Sequence, residues 1–127
     1  MKSETLEVKL KHFHKVFEHP VGEKYPEKHA VDKLKTLRTE LIIEEFDEVM
    51  DAIQNRSAED VLKEMCDLVY VVVGFAVTYG FSFDAAFNRV HASNLSKLDE
   101  QGRPVYRKDG KVQKSNLYVP PRLKDLL

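Results

Sequence analysis

Two short acidic patterns in the middle of the chain stand out for their reactivity: Glu44-Glu45-x-x-Glu48 and, after fifteen intervening residues, Glu64-x-x-Asp67. At about 100° of rotation per helical residue, Glu44 and Glu48 project roughly 40° apart and Glu45 and Glu48 roughly 60° apart, so one side of a helix carries all three. Glu64 and Asp67 also lie about 60° apart. Leu37, Leu41 and Ala52 fall in the first arc, and Val71 and Phe75 continue the second, which sets the acids among apolar side chains. Turning an unpaired carboxylate towards a core is costly. Cations are scarce here: between Glu40 and Asp67 ten acids stand against Arg56 and Lys63. A divalent metal is the simplest counter-charge. Hard oxygen ligands with no His or Cys at ligand spacing favour Mg²⁺ or Mn²⁺ over zinc, copper or iron. A di-iron bundle site wants Glu-x-x-His on two helices, and here the i+3 positions are Glu48 and Asp67. The competing reading is a solvated, salt-bridged face, the usual fate of acids at i, i+3 and i+4. Two clusters on consecutive helices, both on the apolar side and short of lysines, weigh against it.

The hydrophobic periodicity supplies the helices these patterns need. Leu6, Leu10, Phe13 and Phe17 form a stripe over about 4–18, with His12 and His14 expected at the surface beside it. Pro20, Gly22 and Pro26 then make a loop. A second helix is expected from about His29 to Gln54, with apolar positions over more than half its circumference, wider than one packing face needs. That surplus points to a subunit interface. Ser57-x-x-Asp60 is an imperfect capping box opening a third helix to about Tyr79. The run Leu-Val-Tyr-Val-Val-Val has the composition of a buried strand. The helical pattern continuing from Glu64 to a stop at Gly80 decides for a helix, buried on nearly every side. A fourth helix, capped by Ser82 and running to about Lys97, turns Ala85, Ala86, Phe87 and Val90 inward, with His91 in a structural or hydrogen-bonding role. Asp109-Gly110 signals a two-residue β-hairpin, and Pro120-Pro121 ends regular structure. The expected fold is therefore an all-α bundle of about four helices with a small C-terminal hairpin, one domain over 1–127, completed by oligomerisation.

The net charge of −1 argues against a nucleic acid polymer or a membrane surface as partner. Locally the balance is uneven: from Arg103 to Lys124 seven basic residues accompany Asp109 alone. An acidic cradle beside a basic tail suits a polyphosphate. The single cysteine, Cys66, excludes an internal disulfide and is expected to be a buried thiol in a reducing cytoplasm. The N-terminus lacks the apolar core of a signal peptide, and the longest apolar run, Leu68 to Val77, is too short to span a bilayer.

The paired acidic patterns at this spacing resemble the signature of the all-α nucleoside triphosphate pyrophosphohydrolases, the MazG-like group that also includes phosphoribosyl-ATP pyrophosphohydrolase and the dimeric all-α dUTPases. Asn94-x-x-Lys97 resembles the Asn-x-x-Lys element of many relatives. Asp109-Gly110-Lys111-Val112-x-Lys114 and Tyr118-x-Pro120-Pro121 resemble the tail of small single-domain members. The resemblance implies a homodimer or homotetramer that cleaves the α–β phosphoanhydride of a nucleotide with Mg²⁺, Mn²⁺ being an alternative. Carried onto this chain, it makes Glu45, Glu48, Glu64 and Asp67 the metal ligands. Glu44 would hold a further metal or orient the attacking water, and Glu44 and Glu45 become the catalytic candidates. Asn94, Lys97, Lys111, Lys114 and Tyr118 would bind the nucleotide. Phosphoribosyl-ATP hydrolysis is the runner-up substrate reading, and a non-catalytic helical oligomerisation protein is the rival from another class.

Overall fold

In the computed structural model, which describes residues 3–127, three of the four helices open on a side chain that satisfies an orphan backbone N–H of the first turn. Thr5 caps α1 (Leu6–Val16), accepting from the Val8 N–H at 3.2 Å. Asp32 caps α2 (Lys33–Asn55), accepting from Lys35 at 2.8 Å. Ser57 caps α3 (Ala58–Thr78), accepting from Asp60 at 3.2 Å. The fourth helix, α4, spans Phe83–Leu95. Two short antiparallel strands, β1 (Val105–Tyr106) and β2 (Val112–Gln113), pair Val105 with Gln113 and Tyr106 with Val112. A final 3-10 turn covers Lys124–Leu126. The fold is all-α with a small hairpin, and the strand-like run 68–73 lies wholly inside α3.

The chain divides into two compact units, one ending at Ser82 and the other spanning Phe83–Leu127. In the first, α2 and α3 pack against each other across a link of only Arg56 and Ser57, a helical hairpin, while α1 packs on α3. The core collects Leu10, Val49, Ala52, Val73, Ala76, Val77 and Tyr79. The loop after α1 is tied to the end of α3 by Gly22 N–H to the Val77 carbonyl (3.1 Å) and Glu23 N–H to the Thr78 carbonyl (2.7 Å). In the second unit, serine hydroxyls hold the tail. Ser93 donates to the Val119 carbonyl at 2.6 Å, Val119 N–H donates to Ser96 Oγ at 2.8 Å, and Ser115 donates to the Leu98 carbonyl at 2.6 Å. Arg89 and Asp125 close the same unit at 2.7 Å.

Six expectations require correction. His14 is buried, because the one-turn offset from Leu10 puts its ring on the face packed against α3, with Nδ1 donating to the Pro20 carbonyl at 2.9 Å. Cys66 is exposed. It shares with Leu62, Met65 and Val69 the side of α3 turned away from α1 and α2, so α3 is not enclosed on every side within one chain. Phe87 is likewise exposed rather than inward. The His91 side chain is exposed and has no hydrogen-bond partner among the described residues. The hairpin loop has three residues, not two: Arg107 N–H bonds the Lys111 carbonyl at 2.8 Å and Gly110 sits at φ 83°, the left-handed position that closes a type I turn with a bulge. Asp109 Oδ1 stabilises this longer turn by accepting from Lys111 N–H at 3.0 Å. No single helix among the described residues is long and apolar enough to cross a membrane.

Candidate active site

The α2–α3 hairpin brings the two acidic patterns together. Glu45 and Val49 lie on the face of α2 that meets α3, and Glu64 and Asp67 lie on the answering face of α3. One carboxylate oxygen each from Glu45, Glu64 and Asp67 falls within 4.8 Å of the others. Glu64 is buried, at 6% exposure, while Glu45 and Asp67 are half-buried.

Two cations reach this cluster, Arg56 from the hairpin link and Lys63 from the second turn of α3. Lys63 Nζ approaches Asp67 at 2.6 Å and Glu64 at 3.4 Å. Arg56 bridges the helices: its Nη2 lies 2.9 Å from both Glu48 and Asp51, and its Nη1 is 3.6 Å from Glu64. Glu48 therefore faces Arg56 and stands outside the close trio. Glu44 is exposed. Glu45 has no hydrogen bond or ion pair among the described residues. Burial first, then the charges of Asp67 and Glu64, raise its carboxyl above the ordinary range, with Lys63 opposing and Glu48 adding to the effect. Five carboxylates thus share two cations, and the least exposed of them, Glu64, has only long contacts to both. The donor set fits a small hard cation, which would neutralise this excess and take the oxygens that Lys63 and Arg56 leave unused.

The remaining predicted site residues belong to the second unit. Asn94 is exposed on the last turn of α4, and Lys97 is half-buried just beyond it. Lys111 and Lys114 flank β2 and are exposed. Lys114 and Tyr118 come together, the ammonium lying 4.6 Å from the ring centroid. Sequence reasoning missed the structural use of Ser93 and Ser96 around Asn94. It also missed a buried polar group around Arg38, which lies seven residues before Glu45 and so on nearly the same helical face.

With this geometry in hand, comparison with known proteins decides the family. A sequence model described as phosphoribosyl-ATP pyrophosphohydrolase matches residues 10–94, which contain both acidic patterns and Asn94. This chain belongs to the phosphoribosyl-ATP pyrophosphohydrolase family. It is thereby a member of the all-α nucleoside triphosphate pyrophosphohydrolase superfamily, and the family points to a pyrophosphohydrolase enzyme of a kind that typically depends on a divalent metal. The chain is also 28% identical over 105 residues to a protein of Acanthamoeba polyphaga mimivirus described as "Uncharacterized protein L479", a match covering 81% of this chain. The match covers 39% of that relative's length.

Proposed function

We propose that this member of the phosphoribosyl-ATP pyrophosphohydrolase family hydrolyses the α–β phosphoanhydride of a nucleoside triphosphate in a Mg²⁺-dependent reaction, releasing a monophosphate and pyrophosphate. The observation that carries the reading is the convergence of Glu45, Glu64 and Asp67 within 4.8 Å, with more negative charge than Arg56 and Lys63 offset. A bound Mg²⁺, or Mn²⁺, supplies charge neutralisation at the phosphates and acidifies a water. Glu45, Glu64 and Asp67 would hold the cation, with Glu48, now paired to Arg56, as a further ligand. Glu44 orients the attacking water or holds a further cation, and Glu45 beside it is the second candidate for proton transfer. Asn94, Lys97, Lys111, Lys114 and Tyr118 meet the nucleotide, the lysines as point charges on phosphate oxygens.

The family's description favours one second reading, phosphoribosyl-ATP as the nucleotide. A homodimer or homotetramer is part of the main proposal, supported by apolar side chains that one chain leaves exposed on α2 and α3, among them Phe46, Met50, Met65 and Val69. A cytoplasmic location is supported by the unpaired Cys66. The decisive experiment measures pyrophosphate release from a panel of nucleoside triphosphates and phosphoribosyl-ATP, with Mg²⁺ and with EDTA. Turnover on at least one nucleotide, lost in EDTA and in correctly folded Glu64→Gln and Asp67→Asn variants, is expected. Inactivity of the wild type on the whole panel, or full activity of both variants, would overturn the proposal.

A further inference from the structure

Among its described residues the first unit buries a cation for which it provides no anion. Arg38 is 4% exposed, and no carboxylate among the described residues pairs with it. Its Nη2 meets His19 Nδ1 at 3.3 Å, and its Nε is buried without a hydrogen-bond partner. The hydroxyl of Tyr79, a residue 5% exposed, is also buried and unpartnered. His14 cannot supply the missing anion: an imidazole carries no negative charge, and its Nδ1 is spent on the Pro20 carbonyl. The backbone makes room for the guanidinium. At Gly74, inside α3, an added Cβ would lie 3.2 Å from Arg38 Nη1 and 3.3 Å from His14 Nε2. Glycine is unfavourable in a helix interior, so α3 gives up stability to admit this group.

A buried charge left uncompensated is strongly destabilising, and so is a buried donor left unmade. Water would satisfy the donors but not the charge. We propose that Arg38 Nε and the Tyr79 hydroxyl, with His19 on the exposed side, form an oxyanion site that takes a phosphate group, separate from the acidic cluster. The planar guanidinium matches a phosphate edge, and the phenol adds a neutral donor. Arg38 faces His14, Leu10 and Gly74 of its own three helices, which favours a small group over a side chain of a second copy. Arg38 stands seven residues before Glu45, about 10 Å of helical rise along α2, which sets the two positions about two turns apart. The phosphate group is free inorganic phosphate or the phosphate ester of a nucleotide.

The proposal is independent of the catalytic reading, and its test is run in EDTA to keep it so. Thermal unfolding of the full chain is followed against inorganic phosphate, a nucleoside monophosphate and chloride at matched ionic strength. A saturable rise in Tm with phosphate or monophosphate, absent with chloride, is expected, and the more potent of the two identifies the source. Tyr79→Phe, which keeps the ring packed, should weaken apparent affinity about tenfold. Arg38→Met should abolish the response, and if it does not fold, Tyr79→Phe decides. Glu45→Gln should leave the response intact. A phosphate response no larger than that of chloride, or one undiminished in Tyr79→Phe, would overturn the site.

Discussion

Neutralising Glu45 should separate the electrostatics of the acidic cluster from its packing. At 4.8 Å two carboxylates repel by about 1 kcal/mol in a water-like medium and about 3 kcal/mol at an effective dielectric near 20. Glu45 is half-buried and Lys63 offsets part of the repulsion, so the lower figure applies. Glu45→Gln is therefore expected to stabilise the metal-free protein by about 1 kcal/mol, which for a chain of this size is a rise of about 3–5 °C in Tm. In the wild type the sign is the reverse of ordinary acid denaturation at this residue. Its folded carboxyl binds a proton more tightly than the unfolded one, so the penalty is present above the folded value and disappears as pH falls through it. Mg²⁺ should act unequally on the two proteins. At a hundredfold excess over its Kd, it stabilises the wild type by about 2.7 kcal/mol, or roughly 10 °C, and the variant much less. The assay is thermal unfolding of both proteins in EDTA and across a Mg²⁺ titration. A metal-free Glu45→Gln protein less stable than wild type, with an undiminished Mg²⁺ response, would refute the reasoning.

Other expectations follow from the same unit. Burial lowers the proton affinity of His14, so its contribution is complete above the unfolded value of about 6.5 and is lost as pH falls from there towards its lower folded value; urea unfolding between pH 7.5 and 5 should show this slope, and His14→Gln should flatten it. Gly74→Ala gains about 1 kcal/mol of helix propensity but must push against Arg38 and the hydrogen-bonded His14, for a net loss of about 1 kcal/mol by denaturant titration. Phe46→Lys, at a half-exposed apolar position of α2, should shift the mass measured by light scattering towards that of one chain; a wild type that is already a monomer would remove the interface proposal.

The meeting of Glu45, Glu64 and Asp67 was legible because its information is local. A helical period fixes where Glu45, Glu64 and Asp67 point, and the Arg56-Ser57 link leaves α2 and α3 little choice but to pack on each other. The strand-like run 68–73 yielded to the same periodicity. The misread positions depend on tertiary context that one sequence does not encode. Burial of His14 follows from which turn of α1 meets α3, and exposure of Cys66 from which side of an all-apolar helix lacks a neighbour. Glu48 shows a further limit: spacing gives the side of the helix, but Arg56 at the link captures its carboxylate at 2.9 Å. The Arg38 group had a signal, since Arg38 precedes Glu45 and Gly74 follows Asp67 by seven residues on matching faces. Only coordinates reveal that the guanidinium and the glycine meet.

The position of Arg56 also bears on how fast the chain reaches its native state. Helical hairpins with short connections form early, because their contacts are close in sequence. Here that early step must press like charges together, and Arg56, touching Glu48 and Asp51 on one side and Glu64 on the other, is the group that eases the approach. Replacing it with alanine should therefore slow refolding in stopped-flow experiments and leave the unfolding limb nearly unchanged, as expected of a residue already engaged in the transition state. An unchanged refolding rate with accelerated unfolding would mean that the bridge closes only after the helices have docked.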